Sequence, residues 1–282
     1  MNIKVIATDL DGTLLYKKTY VSKKNTIAMK QFIERGGIVC FVTGRSIQSA
    51  NKFAIKFQKQ TGLKIHFISG LKGSVILDNI NNAFIYQKSI NSEISNKIVE
   101  IAIKHKCSLG SYLTEDVLTK RTVIYNLNSL VKTMRISKAF RGYEIIEKWD
   151  STSEVYKMNL CGVNFKVPFW KWKHNLINCY KEIKITLGNK IEISKTSPIM
   201  YEITSEDCNK GITVHKISEL LNIDLNKFAA FGDSNNDIDM FKEVGLSILI
   251  GRKKTISSKY ANYKIRWFKK NAVAKGINKY IF

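Results

Sequence analysis

Largely apolar runs and amphipathic stretches alternate along the first part of the chain. The runs Val5–Ala7, Ile38–Val42 and Ile65–Ser69 predict buried strands, each followed by a polar or glycine-containing turn. Between them, apolar residues recur at helical spacing before Gly36 and across residues 46–59. Because strand–helix–strand alternation favours right-handed crossovers, this pattern predicts an α/β fold with a doubly wound parallel sheet.

The same alternation returns towards the C-terminus. Met200–Thr204 is expected to be the strand with which the parallel sheet resumes, and Lys210 to open the next helix. Further strands are expected over 228–231 and 246–250, and a last helix over 273–280. The chain therefore leaves one domain, builds another and comes back to the first.

The intervening stretch has a different pattern. A helix is expected over 92–105 and a strand over 155–162. Two short strands, 183–187 and 190–194, are expected to form a hairpin around Gly188-Asn189. This mixture predicts an inserted α+β domain with an antiparallel sheet. The predicted organisation is a core made of residues 1–83 and 197–282, with the insertion at 84–196.

Composition narrows the class of protein. The chain has 282 residues, of which 44% are hydrophobic, so it can bury a large core. Lys and Arg number 46 against 23 acidic residues, and a basic surface attracts anions such as phosphorylated metabolites. No nucleic-acid-binding motif accompanies this charge, so we expect no specific nucleic-acid partner. The N-terminal run contains Asp9 and no apolar run approaches a membrane span, so we expect a cytoplasmic protein without a membrane partner.

Cysteine and histidine spacing indicates no metal centre built from these residues. The five cysteines are scattered without a Cys-x-x-Cys pair, which predicts buried free thiols. The four histidines form no pair at metal-ligand spacing on a helix, which makes a zinc site a poor interpretation.

Residues of the kinds used in catalysis follow several of the predicted strands. Asp9 and Asp11 follow the first strand, and alternate residues of extended chain point to one side. Two carboxylates this close repel each other unless a cation lies between them, and Mg²⁺ is the usual choice for oxygen ligands. The carboxyl ends of parallel strands meet at one edge, where ligands bind. The same edge should therefore receive Thr43, Lys210, Asp233, Asn236 and Asp237.

Two strings make this arrangement specific. Asp9-Leu10-Asp11-Gly12-Thr13-Leu14, together with Gly232-Asp233-Ser234 and the following Asn236-Asp237, resembles the motifs of the haloacid dehalogenase (HAD) superfamily. The long insertion between the second and third motifs resembles the Cof-type branch with a type IIB cap. The resemblance implies a HAD-like Rossmannoid core, an α+β cap at 84–196, and a phosphatase that acts on small phosphorylated substrates.

The resemblance also implies a role for each matched residue. Asp9 would be the nucleophile that forms an aspartyl-phosphate, and Asp11 the general acid and base. Mg²⁺ would be held by Asp9, Asp233 and the backbone carbonyl of Asp11, with Asp237 supporting the metal's waters. The phosphoryl oxygens would be bound by the amides of Leu10 and Gly44 and by the side chains of Thr43, Lys210 and Asn236.

Alternatives and departures from the family pattern remain at this point. A sugar phosphomutase and a catalytically inactive basic binding protein could share this core. Arg45 could be a ligand for the substrate or an ion-pair partner within the core. Lys72 and Arg252 stand where many relatives have Asn, and their charge suggests a preference for strongly anionic substrates.

Overall fold

A computed structural model defines two compact units. It describes residues 2–17, 19–113, 122–127, 143–146, 148–152, 154–164, 166–251, 255–265 and 269–282. The first unit comprises Met1–Gln87 and Asn209–Phe282, and the second comprises Lys88–Cys208. Strands and helices are numbered below in chain order.

An eight-stranded sheet forms the first unit, with β1 (Val5–Thr8) in an inner position. On one side β1 pairs in parallel with β4 (Ile38–Val42), and on the other with β14 (Phe228–Gly232). Beyond β14, the parallel order continues through β15 (Leu246–Ile250) and β16 (Tyr263–Ile265). The predicted doubly wound parallel sheet is therefore confirmed.

The opposite end of this sheet is antiparallel. β5 (Phe67–Gly70) pairs in parallel with β4, whereas β6 (Val75–Asp78) and β7 (Ala83–Gln87) run antiparallel to their neighbours. A separate two-stranded ladder joins β2 (Leu15–Tyr16) to β3 (Tyr20–Val21). The sheet is thus parallel at β1, β4 and β14, the strands that carry the candidate catalytic residues.

The helices of the first unit begin where the sequence supplies a capping side chain. Ser22, Ser46 and Asn209 each accept a backbone N–H from three residues further on, which satisfies a donor that the helix leaves open. Alternation in the strands brings apolar residues such as Val5, Cys40 and Phe228 into one buried cluster. The helices are α1 (Lys23–Glu34), α2 (Ile47–Thr61), α5 (Lys210–Leu221), α6 (Ile238–Glu243) and α7 (Ala272–Tyr280).

The second unit is an α+β domain with a six-stranded sheet. Its strands are β8 (Ser108–Leu113), β9 (Thr122–Leu127), β10 (Tyr143–Ile146), β11 (Val155–Cys161), β12 (Ile191–Ser197) and β13 (Met200–Ser205). Their order across the sheet is β10-β9-β8-β11-β13-β12. Two helices, α3 (Ser92–Lys104) and α4 (Phe169–Leu187), share a buried apolar cluster with one face of the sheet. Ile98, Leu176 and Met158 represent the three parts of that cluster.

The hairpin predicted for residues 183–194 is wrong. Residues 183–187 are the last turns of α4, because Cys179, Ile183 and Leu187 continue a buried stripe at helical spacing. Gly188, with φ of 54°, ends the helix instead of turning a hairpin. The strand that follows pairs with β13 further along the chain.

The placement of Met200–Thr204 in the parallel core sheet is also wrong. β13 lies in the sheet of the second unit, antiparallel to β11 on one side and to β12 on the other. The boundaries accordingly fall after Gln87 and after Cys208, later than the predicted 83 and 196. An apolar alternating run of this length suits either sheet, and only the pairing partners distinguish them.

Two smaller predictions concern the chain as a whole. All five cysteines are buried free thiols, as predicted. None of the helices in the described ranges combines the length and apolarity that a membrane crossing requires.

Candidate active site

The polar residues predicted to share an edge follow neighbouring strands of the first unit. Thr8 is in register with Phe41 of β4 and with Phe231 of β14, so these three strands reach the edge together. Asp9 comes next, and its amide donates to the carbonyl of Phe231 at 2.9 Å. The ends of β1, β4 and β14 therefore bring Asp9, Thr43 and Asp233 to one edge of the sheet.

At the centre of this edge a lysine lies between two carboxylates. Lys210 Nζ donates to Asp9 Oδ1 at 2.7 Å and to Asp237 Oδ1 at 2.7 Å. The side chains of Lys210 and Asp237 are fully buried, and that of Asp9 is only 7% exposed. Lys210 stands in the first turn of α5, which Asn209 caps, so the helix start positions the ammonium.

Burial controls the electrostatics of this triad. Removal from water, together with the nearby carboxylates of Asp237 and Asp233, raises the pKa of Asp9 to about 7, against the opposing charge of Lys210. Burial also works against the charge of Lys210, but Asp237 and Asp9 outweigh it and raise the pKa of the lysine. Lys210 is therefore a permanent cation placed against the candidate nucleophile.

Asp237 shapes the turn that presents Asp233. Its Oδ2 accepts the amides of Asp233 at 2.9 Å and Ser234 at 3.0 Å, while its Oδ1 accepts from Lys210. Both oxygens are thus engaged by protein donors. The carboxylate of Asp233 lies against Gly12, because a Cβ built at Gly12 would stand 2.1 Å from Asp233 Oδ2. This contact explains the glycine after Asp11, which also has a left-handed φ of 89°.

Asp11 is held by Arg45, the residue whose role the sequence left open. Arg45 Nε donates to Asp11 Oδ2 and Arg45 Nη2 to Asp11 Oδ1, both at 2.6 Å. This two-pronged geometry is the strong form of a carboxylate–guanidinium pair. The guanidinium also lies 5.1 Å from the centre of the Phe53 ring on α2. Arg45 is therefore an ion-pair partner of Asp11.

The residues expected to bind phosphate differ in their burial and in their hydrogen bonds. Thr43 is buried at the end of β4, and its Oγ1 accepts the amide of Arg45 at 3.3 Å. Gly44 is partly exposed next to it, and Leu10 is buried beside Asp9. Asn236 is half-buried, and its Oδ1 accepts from the Ser234 hydroxyl at 2.6 Å. The Asn236 side chain is thus oriented by the same turn as Asp233.

Comparison with known proteins identifies the family. A family model described as haloacid dehalogenase-like hydrolase matches residues 6–277. The chain belongs to the haloacid dehalogenase-like hydrolases. The match extends through both units, so the inserted domain is part of the family relationship.

Individual relatives match this chain over nearly their whole length. A haloacid dehalogenase-like hydrolase from Bacteroides thetaiotaomicron superposes with a TM-score of 0.80 at 23% identity, covering 99% of this chain and 100% of its own. A HAD subclass IIB sugar phosphatase gives a TM-score of 0.79 at 18% identity, with 98% of each chain covered. The 5-amino-6-(5-phospho-D-ribitylamino)uracil phosphatase YcsE of Bacillus subtilis (strain 168) is 24% identical over 281 residues, covering 100% of this chain and 97% of its own.

The oxygen atoms at this edge fit a hard divalent cation, which only two carboxylates would bind directly. Asp9 and Asp233 offer oxygen atoms of the kind that Mg²⁺ prefers, and backbone carbonyl and water complete such sites. The carboxylates of Asp11 and Asp237 are already engaged, by Arg45 and by Lys210 with two amides. Among the residues described by the structure, no three His, Cys, Asp or Glu side chains form a ready metal cluster.

Three further residues were singled out by the sequence. Thr13, in the first motif, is fully buried, and its Oγ1 has no hydrogen-bond partner within the described ranges. The sequence string pointed to Thr13 without assigning it a role. Lys72 is buried with a left-handed φ of 65°, a conformation that Asn tolerates well, and the effect of its charge on substrate choice stays a prediction. Arg252 lies outside the described residues.

Proposed function

We propose that this protein is a Mg²⁺-dependent phosphatase that hydrolyses small phosphorylated metabolites through an aspartyl-phosphate on Asp9. The observation that carries the proposal is the fully buried ammonium of Lys210, which lies 2.7 Å from Asp9 and 2.7 Å from Asp237. A fixed cation beside a carboxylate nucleophile lowers the repulsion that an anionic phosphate ester would meet. A binding protein without catalysis has no need of such an arrangement.

The reaction divides into two in-line displacements. A carboxylate oxygen of Asp9 forms a bond to phosphorus while the bond from phosphorus to the ester oxygen breaks, and Asp11 gives that oxygen its proton. Asp11 then takes a proton from a water molecule, and the oxygen of that water attacks phosphorus. The bond from phosphorus to Asp9 breaks, and inorganic phosphate and the original carboxylate result.

Arg45 has a part in this proton transfer. Its two nitrogens engage both oxygens of Asp11 at 2.6 Å, so Asp11 can carry the acidic proton only after one of these contacts opens. Arg45 therefore acts as a positioning residue that orients the acid and base.

The same proposal assigns ligands for the metal and for the phosphoryl group. Asp9, Asp233 and the backbone carbonyl of Asp11 would hold Mg²⁺, which when bound supplies positive charge to the transferring phosphoryl group. Asp237 would support these ligands indirectly, because it accepts hydrogen bonds from Lys210 and from the amides of Asp233 and Ser234. The remaining phosphoryl oxygens would be bound by Thr43, Lys210, Asn236 and the amides of Leu10 and Gly44.

The test is phosphate release from p-nitrophenyl phosphate, with and without Mg²⁺. We expect Asp9→Asn to lose activity by a factor of about 10⁴ or more, because an amide cannot form the intermediate. Asp207→Asn is the control, since that aspartate is exposed in the second unit and pairs only loosely with Lys88 at 3.4 Å. Full activity of Asp9→Asn would contradict the mechanism, and an inactive wild type would favour the binding-protein alternative.

A further inference from the structure

A second concave surface lies within the first unit, between α1 and the start of α7. This cavity has a volume of about 730 Å³, which is in the range of small-molecule sites. All of the residues that line it belong to the first unit, and none of them is a residue assigned above to catalysis, metal or phosphate. We call it the helix cavity.

The charge of the helix cavity has one sign. Lys24 of α1, Lys270 and Lys275 of α7 line it, and each is exposed to solvent. Among the lining residues that the structure describes, none is an aspartate or a glutamate. Three ammonium groups around one concavity attract an anion.

The sequence shows that this absence of acid is a property of two whole segments. Residues 12–33 and 244–282, which contain α1 and α7, hold fifteen lysines and arginines and no aspartate or glutamate. The chain has 23 acidic residues among 282, so about five would be expected in stretches of this length. A general excess of lysine does not remove acids, and elsewhere exposed lysines have acidic partners, as Lys97 has Glu100. The two acid-free segments are far apart in sequence, yet α1 packs against α7.

The walls of the helix cavity are tied together by Asn25, a buried residue of α1. Its Nδ2 donates to the carbonyls of Leu14 at 3.3 Å and Lys270 at 3.2 Å. Its Oδ1 accepts the amide of Ala274 at 2.9 Å. Because one side chain holds three segments, the cavity exists before a ligand arrives, which reduces the entropy lost on binding.

The surface between the lysines is apolar. Tyr16 is partly buried, and Lys270 Nζ lies 5.9 Å from the centre of its ring. Ile27 is 43% exposed, and three alanines line the cavity beside it. An inorganic anion would use only the ammonium groups, whereas a flat ring would also cover this apolar surface. The matching molecule therefore carries both negative charge and a ring.

We infer that the helix cavity binds a nucleotide, with its phosphate groups on Lys24, Lys270 and Lys275 and its base on the apolar surface. The volume suits a single nucleotide, whereas a nucleic-acid strand is bound along an extended groove on which successive bases stack. The proposed phosphatase reaction does not use this cavity, so the inference holds whether or not that reaction is confirmed.

The test is calorimetric titration with adenosine diphosphate, pyrophosphate and adenosine, without Mg²⁺ so that no metal-dependent turnover disturbs the heats. We expect adenosine diphosphate to bind. Pyrophosphate and adenosine should each bind at least about tenfold more weakly, because each lacks one of the two kinds of contact.

Two paired variants locate the bound nucleotide. Lys24→Gln with Lys275→Gln should weaken the binding of adenosine diphosphate about tenfold, as expected for two charges that also face water. Lys23→Gln with Lys279→Gln is the matched control, since it removes two exposed lysines from the same helices without touching the cavity. The control should bind adenosine diphosphate as the wild type does. Equal unfolding temperatures of both pairs and the wild type would show that the fold is intact.

Several results would overturn the inference. One is the absence of binding by adenosine diphosphate, and another is equal weakening in both pairs, which would indicate general attraction to a basic surface. Unchanged affinity in the Lys24 and Lys275 pair would place the nucleotide elsewhere, such as at the catalytic edge. Pyrophosphate bound as tightly as adenosine diphosphate would exclude the ring contact. Oligouridylate bound more tightly than adenosine diphosphate would make the surface a nucleic-acid site instead.

Discussion

Each unit of this protein buries a lysine against carboxylates, and the two lysines differ in ways that reflect their surroundings. Lys210, in the first unit, is fully buried between Asp9 and Asp237 at 2.7 Å each. Lys157, in the second, meets one carboxylate at 3.0 Å, and that carboxylate, Glu202, is 15% exposed. Lys210 is closed to water, whereas the pair in the second unit reaches water through Glu202, which is in register with Asn159, a residue whose Oδ1 has no hydrogen-bond partner among the described residues.

The difference shows how the two kinds of sheet create sites. A parallel sheet gathers the ends of its strands, so residues in short contiguous strings converge at one edge. An antiparallel sheet creates sites on its face, from single residues at matched positions of separate strands.

The largest expected effect is the loss of either lysine. Lys210→Met leaves two buried carboxylates without their shared cation and should lower the free energy of unfolding by about 3–5 kcal/mol. Lys157→Met leaves only Glu202, which reaches water, so we expect about 1–3 kcal/mol. Urea unfolding followed by circular dichroism measures both, with the exposed Lys195→Met as control. Equal losses for Lys210 and Lys157 would remove the contrast between the units.

A smaller effect tests how tightly the first unit packs at its site. Gly12→Ala places a Cβ 2.1 Å from Asp233 Oδ2 in a left-handed backbone, and should destabilise by about 2–3 kcal/mol. Displacement of Asp233 should also reduce turnover about 100-fold. Gly62→Ala has a similar φ of 76° but open space, so it should cost about 1 kcal/mol with normal turnover. Normal turnover in Gly12→Ala would show that Asp233 needs no fixed position.

The third prediction concerns the two-pronged contact between the Arg45 guanidinium and the Asp11 carboxylate in the first unit. Arg45→Lys keeps the charge but loses one of the two hydrogen bonds to Asp11. We expect kcat to fall about tenfold, equivalent to ~1.4 kcal/mol, with little change in KM, because the acid loses its orientation. Arg35→Lys, whose guanidinium lies 3.8 Å from the Phe282 ring centre, is the control. A change in KM alone would mean that Arg45 binds substrate.

The smallest expected effect is a pH dependence of stability that belongs to the first unit. Burial lowers the pKa of His66 below 6.5, against the charge of Asp78, and its Nδ1 accepts the amide of Val39 at 3.3 Å. Below the unfolded pKa the unfolded chain binds the extra proton, so the stability of the first unit should fall as pH decreases towards 5. The loss should be about 1 kcal/mol, the worth of that hydrogen bond.

His66→Asn keeps an acceptor at the Nδ1 position and cannot titrate, so it should remove this part of the pH dependence. Unfolding midpoints of both proteins at acidic and neutral pH provide the measurement. An identical pH dependence in wild type and His66→Asn would exclude His66 as its source.

Much of the first unit could be predicted from the sequence. Strand Ile38–Val42 has the bounds expected for it, and β15 likewise occupies residues 246–250. The caps Ser22 and Asn209 are local signals, since each contacts an amide only three residues away. Because such signals depend only on residues close in sequence, they act in any tertiary context, and these elements can be predicted from the sequence.

The errors lie where partners are distant. The alternation of Met200–Thr204 suited a core strand, but its partners are residues 158–161 and 191–197 of the second unit. The stretch 183–187 looked like a strand because Ile183 and Leu187 are apolar, and it became helix because Leu176 and Cys179 continue the stripe. In both cases the conformation and the sheet partner were determined by the surface available for packing, and not by intrinsic propensity.

By itself, the sequence determined the family chemistry: the order of Asp9, Asp11, Lys210 and Asp233 along the chain, and the insertion that separates them. Tertiary structure decided what each of these groups touches. It paired Asp11 with Arg45, engaged both oxygens of Asp237, and placed Lys157 beside Glu202 across 45 residues of chain. The physical reason is the separation along the chain over which each kind of interaction acts. A motif is read from neighbours in sequence, whereas a hydrogen bond between strands depends on a register that no single strand contains.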